Sequence, residues 1–245
     1  MMNRALFSTF SSLLASSVMA QGYLLVTDSY LDRALRLDAF DGHVVSNNWL
    51  NVRPGGGSSS SNTPVNIIDS TVGSLLVSDQ VADSVFEFRY DGTFVRTVVG
   101  PLQGLDNIRG IAVHNGRLYV AVSGGAFSQT VQSFDLDGGD QQTWVTLPVE
   151  ASIWDVTFRT DDALISDAGE HNLYRVRLSD KQLTLWHDSD MNTSYRFPSQ
   201  IQIDPALSDS VLVGGFSLPN TGVYQFQGMT TGTQKEFWPL PLNIG

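Results

Sequence analysis

Asp188-Ser189-Asp190-Met191-Asn192 sets oxygen ligands at alternating positions, Asp-x-Asp-x-Asn, as a calcium loop begins. The continuation departs from that pattern. Thr193 stands where the sharp turn needs Gly, and Ser199 where a bidentate Glu would close the coordination sphere. Asp188, Asp190 and Asn192 are thus candidate ligands for Ca2+ or another divalent cation, within what is otherwise a solvated acidic loop. A second group has a different chemistry. Trp154 offers a flat indole face for a sugar or another ring, with the neighbouring Asp155 and Arg109 as polar anchors. Asn107, Ser199 and Gln200 add amide and hydroxyl groups to that set. The same indole could instead serve only to pack one structural unit on the next. No nucleophile is paired with a base in either group. The chain has no cysteine, no Gly-x-Ser-x-Gly elbow and no Walker loop. Its four histidines, His43, His114, His171 and His187, lack zinc-ligand spacing.

Composition narrows the partners. The net charge is −11 over 245 residues, so phosphate backbones and anionic membranes would repel the chain. Residues 1–20 read as a secretory signal peptide: Arg4, a charge-free stretch from Ala5 to Val18, then Val18-Met19-Ala20 before Gln21. That stretch is shorter than the ~20 residues a membrane span needs. The expected product is secreted or periplasmic. Without disulfides it relies on packing, a habit that leans towards a bacterial source.

Something must position these residues, and the chain supplies a repeat. Leu24-Leu25-Val26-Thr27-Asp28 recurs as Leu75-Leu76-Val77-Ser78-Asp79 and as Ala163-Leu164-Ile165-Ser166-Asp167. Weaker copies are Leu118–Ser123 and Val211–Phe216. The aligned positions 28, 79, 122, 167 and 215 lie 51, 43, 45 and 48 residues apart, the ~40–50 residues of a four-stranded propeller blade. After each copy come a loop, an alternating strand such as Val85–Tyr90 or Leu173–Leu178, and a turn, often Asp-Gly. Asp-Gly predicts a two-residue type I′ hairpin. A last strand ends on Trp49, Trp144, Trp186 or Trp238 in four repeats. The first strand of each unit is read as Val65–Asp69, Gly110–His114, Asp155–Arg159 and Gln200–Asp204. The repeated Asp28, Asp79 and Asp167 end second strands, where a carboxylate accepts N–H bonds from the following loop.

The φφVxD strand, short loop, alternating strand and Asp-Gly turn resemble an NHL-like or lactonase-like β-propeller. The expected fold is all-β, with residues 21–245 forming a single propeller domain of about five four-stranded blades. The first blade lacks its inner strand. Leu242-Asn243-Ile244-Gly245 is similar to Asp106-Asn107-Ile108-Arg109-Gly110 cut short, and six blades would follow if the chain is a fragment. The resemblance also implies an alternative activity, a metal-dependent hydrolase or lyase. Those enzymes hold a divalent cation over the pore, and Asn107, Asp155 and Asn66 could contribute ligands here. The Glu-Gly-Pro motif of the first inner strand is missing.

Strand order puts the loops between second and third strands, and between blades, on one face. These are long, whereas the hairpins of the opposite face are short. The long-loop face is therefore the expected site, ringed by Asn66, Asn107, Arg109, Trp154, Asp155, Ser199 and Gln200. The sequence favours a non-enzymatic exported monomer that binds a glycan, peptide or protein there.

Overall fold

The computed structural model describes residues 22–52, 62–188, 197–204, 207, 209–216 and 220–239. The proposed signal peptide and the last six residues lie outside that range. Nineteen strands form five antiparallel sheets. Blade one has β1 (Tyr23–Asp28), β2 (Arg33–Asp38) and β3 (Val44–Asn51). Blade two has β4 (Pro64–Asp69), β5 (Leu75–Asp79), β6 (Ser84–Phe88) and β7 (Phe94–Val99). Blade three has β8 (Asp106–His114), β9 (Arg117–Gly124), β10 (Thr130–Asp135) and β11 (Gln142–Thr146). Blade four has β12 (Ile153–Phe158), β13 (Asp162–Asp167), β14 (Asn172–Arg177) and β15 (Leu183–His187). Blade five has β16 (Pro198–Ile203), β17 (Ser210–Gly215), β18 (Gly222–Gln227) and β19 (Thr233–Pro239). Four sheets have four strands and the first has three, so the chain is an all-β, five-bladed propeller. No helix among the described residues is long and apolar enough to cross a membrane.

Position within the blade explains the residue pattern. Second strands are covered on both faces by neighbouring blades, and β5 and β13 are buried along their whole length. They consequently read as runs, Leu-Leu-Val and Ala-Leu-Ile, rather than alternations. Outer strands face water, and four of the six residues of β7 are exposed. The apolar core is divided among the blade interfaces. One cluster joins blades one and two, through Leu25, Leu50, Ile67 and Phe86. Others join two to three, three to four and four to five. The seam between blades five and one has no such cluster among the described residues. Blade five instead reaches across to blade two, where Gln200 Nε2 donates to the Val65 carbonyl at 3.4 Å.

The blade-ending tryptophans sort by neighbour. Trp144 packs on Tyr119 of its own blade and on Phe158 of the next. Trp186 lies fully buried against Phe226 and Gly232 of blade five. Trp238 is largely exposed.

Two details differ from the sequence reading. Each inner strand starts earlier than expected, because each carries a register shift near its start: at Pro64/Asn66, Ile108/Ile111, Ile153/Asp155 and Pro198/Ile201. A bulge breaks the alternation by which a strand is recognised. The Asp-Gly turns are also not type I′. Gly92 N–H donates to the Arg89 carbonyl and Gly138 N–H to that of Asp135. Only the glycines have positive φ, +86° and +91°. These are three-residue loops, a type I turn followed by a left-handed glycine. Each glycine also lies against the preceding blade: a Cβ on Gly138 would come within 1.9 Å of the Val98 carbonyl oxygen.

Candidate functional site

The repeated aspartates do structural work at the long-loop face. Asp79 Oδ1 accepts N–H bonds from Thr63, Val81 and Ala82 at 3.0, 3.2 and 2.9 Å. Asp167 Oδ1 accepts them from Ser152 and Gly169 at 2.7 and 2.9 Å. Asp28 Oδ1 holds Tyr30 and Leu31 likewise. In blades two and four the carboxylate therefore ties its own loop to the residue leading into the inner strand.

Hydroxyls then join each inner strand to the blade before it. Thr27 Oγ1 donates to the Val65 carbonyl at 3.1 Å, and Ser166 Oγ to that of Ser199 at 2.6 Å. Ser78 Oγ donates to the Arg109 carbonyl and Ser123 Oγ to that of Ile153. The corresponding place in blade five is glycine, Gly214. These bonds, with the bulges, fix where the inner-strand side chains stand.

Arg109 and Trp154 form a pair between blades three and four. The guanidinium carbon sits 4.5 Å from the centroid of the indole, close enough for a cation–π contact. Arg109 Nη1 donates to Ser152 Oγ at 3.1 Å and to the Ile153 carbonyl at 3.3 Å. Burial lowers the arginine's pKa. Two donors remain: among the described residues, Arg109 Nε and Trp154 Nε1 are buried without an acceptor. Asn107, the second residue of β8, has φ +54°. Its N–H donates to Asp83 Oδ1 at 2.7 Å, and its side-chain oxygen accepts from Gln80 Nε2 at 2.5 Å. Ser199 is buried and donates to the Gly214 carbonyl at 3.1 Å.

Asp155 lies deeper than Arg109 and Trp154. It is 2 % exposed and points into the propeller axis. Oδ1 accepts Val156 N–H at 2.8 Å and Asn66 Nδ2 at 3.4 Å; Oδ2 accepts Ile201 N–H at 3.0 Å. Burial pushes its carboxyl up to about 7. With Asn66 and Gln200, both buried, it forms a polar plug across the axis. Gly110 makes room for it: a Cβ there would lie 1.9 Å from Asp155 Oδ1 and 2.5 Å from its Cα. The need for this glycine was missed in the sequence, where nothing marks the approach of another blade.

The suggested lactonase-like ligand set does not fit this geometry. Asn107 oxygen is taken by Gln80, and Asp155 is bound by two backbone N–H groups beneath the mouth. Of the proposed calcium loop, Asp188 is half-buried, while Asp190 and Asn192 lie outside the described residues. A different cluster, Asp38, Asp41 and His43, brings its ligand atoms within 4.8 Å of one another. It is an exposed turn already engaged in its own bonds, with His43 Nδ1 2.6 Å from Asp41 Oδ1 and Asp38 Oδ1 accepting Phe40 N–H.

The axis also opens on the face of short hairpins. A cavity of about 280 Å3 there ends on Asn66 and Asp155. The sequence reading had placed interest on the opposite mouth alone.

No protein-family model matches the chain, and neither does any curated protein. Solved structures do. A chain of a nidogen/laminin complex superposes with TM-score 0.64 at 15% identity, covering 85% of this chain and 72% of that one. A catalytically inactive virginiamycin B lyase from Staphylococcus aureus with quinupristin gives 0.62 at 13%, covering 91% and 68%. A streptogramin B lyase gives 0.61 at 12%, covering 91% and 67%. At such identities the likeness defines the class by fold, a β-propeller, and nothing finer.

Proposed function

We propose that this is an exported, monomeric propeller that binds a glycan, peptide or protein at the mouth of its long-loop face, anchored on Arg109 and Trp154. The observation that carries the reading is the pair of orphaned donors. A buried N–H without an acceptor costs roughly 1–3 kcal/mol, and Arg109 Nε and Trp154 Nε1 both carry that cost. A ligand oxygen, from a carboxylate, carbonyl or sugar hydroxyl, would relieve it. The structural neighbours offer precedent for both ligand sizes: one propeller chain comes from a complex between proteins, another from a complex with quinupristin. The binding reading has better support than metal-dependent hydrolysis, because the suggested metal ligands are committed to other bonds.

The test is binding of the secreted protein to glycan and peptide arrays, repeated with Arg109→Ala and Trp154→Phe. At least tenfold weaker binding is expected for each, with unchanged thermal unfolding. Ligands that bind both variants as tightly as the parent would overturn the assignment. Amino-terminal sequencing of the secreted protein should begin at Gln21; a retained Met1 would refute export by cleavage.

A further inference from the structure

The cavity on the short-hairpin face has a distinct chemistry. Ile68, Ile111, Val156 and Ile201 give its walls apolar side chains, Thr157 and Gln202 add polar ones, and Asp155 and Asn66 stand at its inner end. Its rim includes Asp69, His114 and Phe158. No Lys or Arg lines it. His114 stacks on Phe158 with centroids 4.4 Å apart, and burial lowers its pKa, so it supplies no positive charge near neutral pH. Asp69 is held by Thr71 N–H and the Tyr90 hydroxyl.

The carboxylate at the inner end is incompletely satisfied. Its two oxygens offer about four acceptor sites, of which Val156, Asn66 and Ile201 use three. No cation among the described residues stands beside it, and a buried carboxylate without a counter-charge is costly. A bare metal ion would find the carboxylates of Asp69 and Asp155 already accepting other bonds. A cation with a carbon body suits both parts. The volume is at the small end of ligand sites, which run from ~300 Å3 upwards.

We infer that this cavity is a second binding site, for a small organic ammonium ion whose apolar body lies against Ile68, Ile111 and Ile201 and whose charge pairs with Asp155. It is independent of the Arg109–Trp154 mouth, from which the polar plug separates it.

The probe is n-butylammonium chloride, titrated calorimetrically into the whole protein at pH 7.5 alongside n-butanol, which has the same number of heavy atoms. The ammonium ion should bind at least tenfold more tightly than the alcohol. Asp155→Asn should abolish that preference. Ala112→Phe, which fills the cavity without touching the carboxylate, should abolish binding of both. Arg109→Ala should leave it intact, which separates this site from the long-loop mouth. Equal affinity for the two probes would overturn the inference. So would no saturable ammonium binding up to about 50 mM, or undiminished binding by a folded Ala112→Phe variant.

Discussion

Asp155 makes stability depend on pH in an unusual direction. Most carboxylates in folded proteins titrate at or below their free values and stabilise as pH rises. Burial instead pushes this one from 3.8 to about 7. Below about pH 4 both the folded and unfolded chains hold its proton, and the group contributes no pH dependence. Between about 4 and 7 the unfolded chain releases the proton while the folded chain keeps it. Stability then falls as pH rises, and levels off above the folded value. A shift of about three units, at ~1.4 kcal/mol each, sets roughly 4 kcal/mol as the upper bound of that loss. Asp155→Asn isolates the effect, because the other titrating groups cancel in the difference between the two proteins. The amide resembles the neutral acid, so the substitution should be tolerated worst at low pH. Its relative stability should improve by about 2–4 kcal/mol between pH 4.5 and 8. Urea unfolding of both proteins at pH 4.5, 6 and 8 measures this directly. A difference that stays constant within ~0.5 kcal/mol, or that moves the other way, would refute the argument that burial without a cation governs this group.

Two further outcomes follow from contacts between blades. Gly232→Ala would put a Cβ 2.5 Å from the ring of the buried Trp186; a destabilisation of about 1–3 kcal/mol is expected, reduced when Trp186→Phe is introduced alongside it, and additive losses by thermal unfolding would show that the clash is not with the indole. Ser78→Ala removes the acceptor of Asn66 N–H and the donor to the Arg109 carbonyl together; it should cost about 1–3 kcal/mol in chemical denaturation, against no change for the exposed Ser29→Ala.

The repeat was legible because second strands are buried on both faces and therefore look alike: Leu25-Val26, Leu76-Val77 and Leu164-Ile165 fill the same space in different blades. The hydroxyl before each aspartate was also visible, as Thr27, Ser78 and Ser166. Its purpose was not, since each acceptor lies 31–38 residues ahead in another blade. Trp154 and Arg109 were named for one site, but only the fold stacks one on the other. The depth at which Asp155 is buried was hidden for a related reason. Alternation tells which face of a strand a side chain takes, but gives no measure of how near that face lies to the axis. Gly110 carried no signal, because what it accommodates arrives from the next blade.

The four apolar interfaces have a mechanical consequence. A ring closed equally everywhere resists any change of diameter. Among the described residues, this one is closer to a strip of blades joined at four apolar seams, with its yielding point where blade five comes round towards blade one. Strain applied at either mouth would gather there, leaving blades two to four, which carry Arg109, Trp154 and Asp155, to move as a single piece.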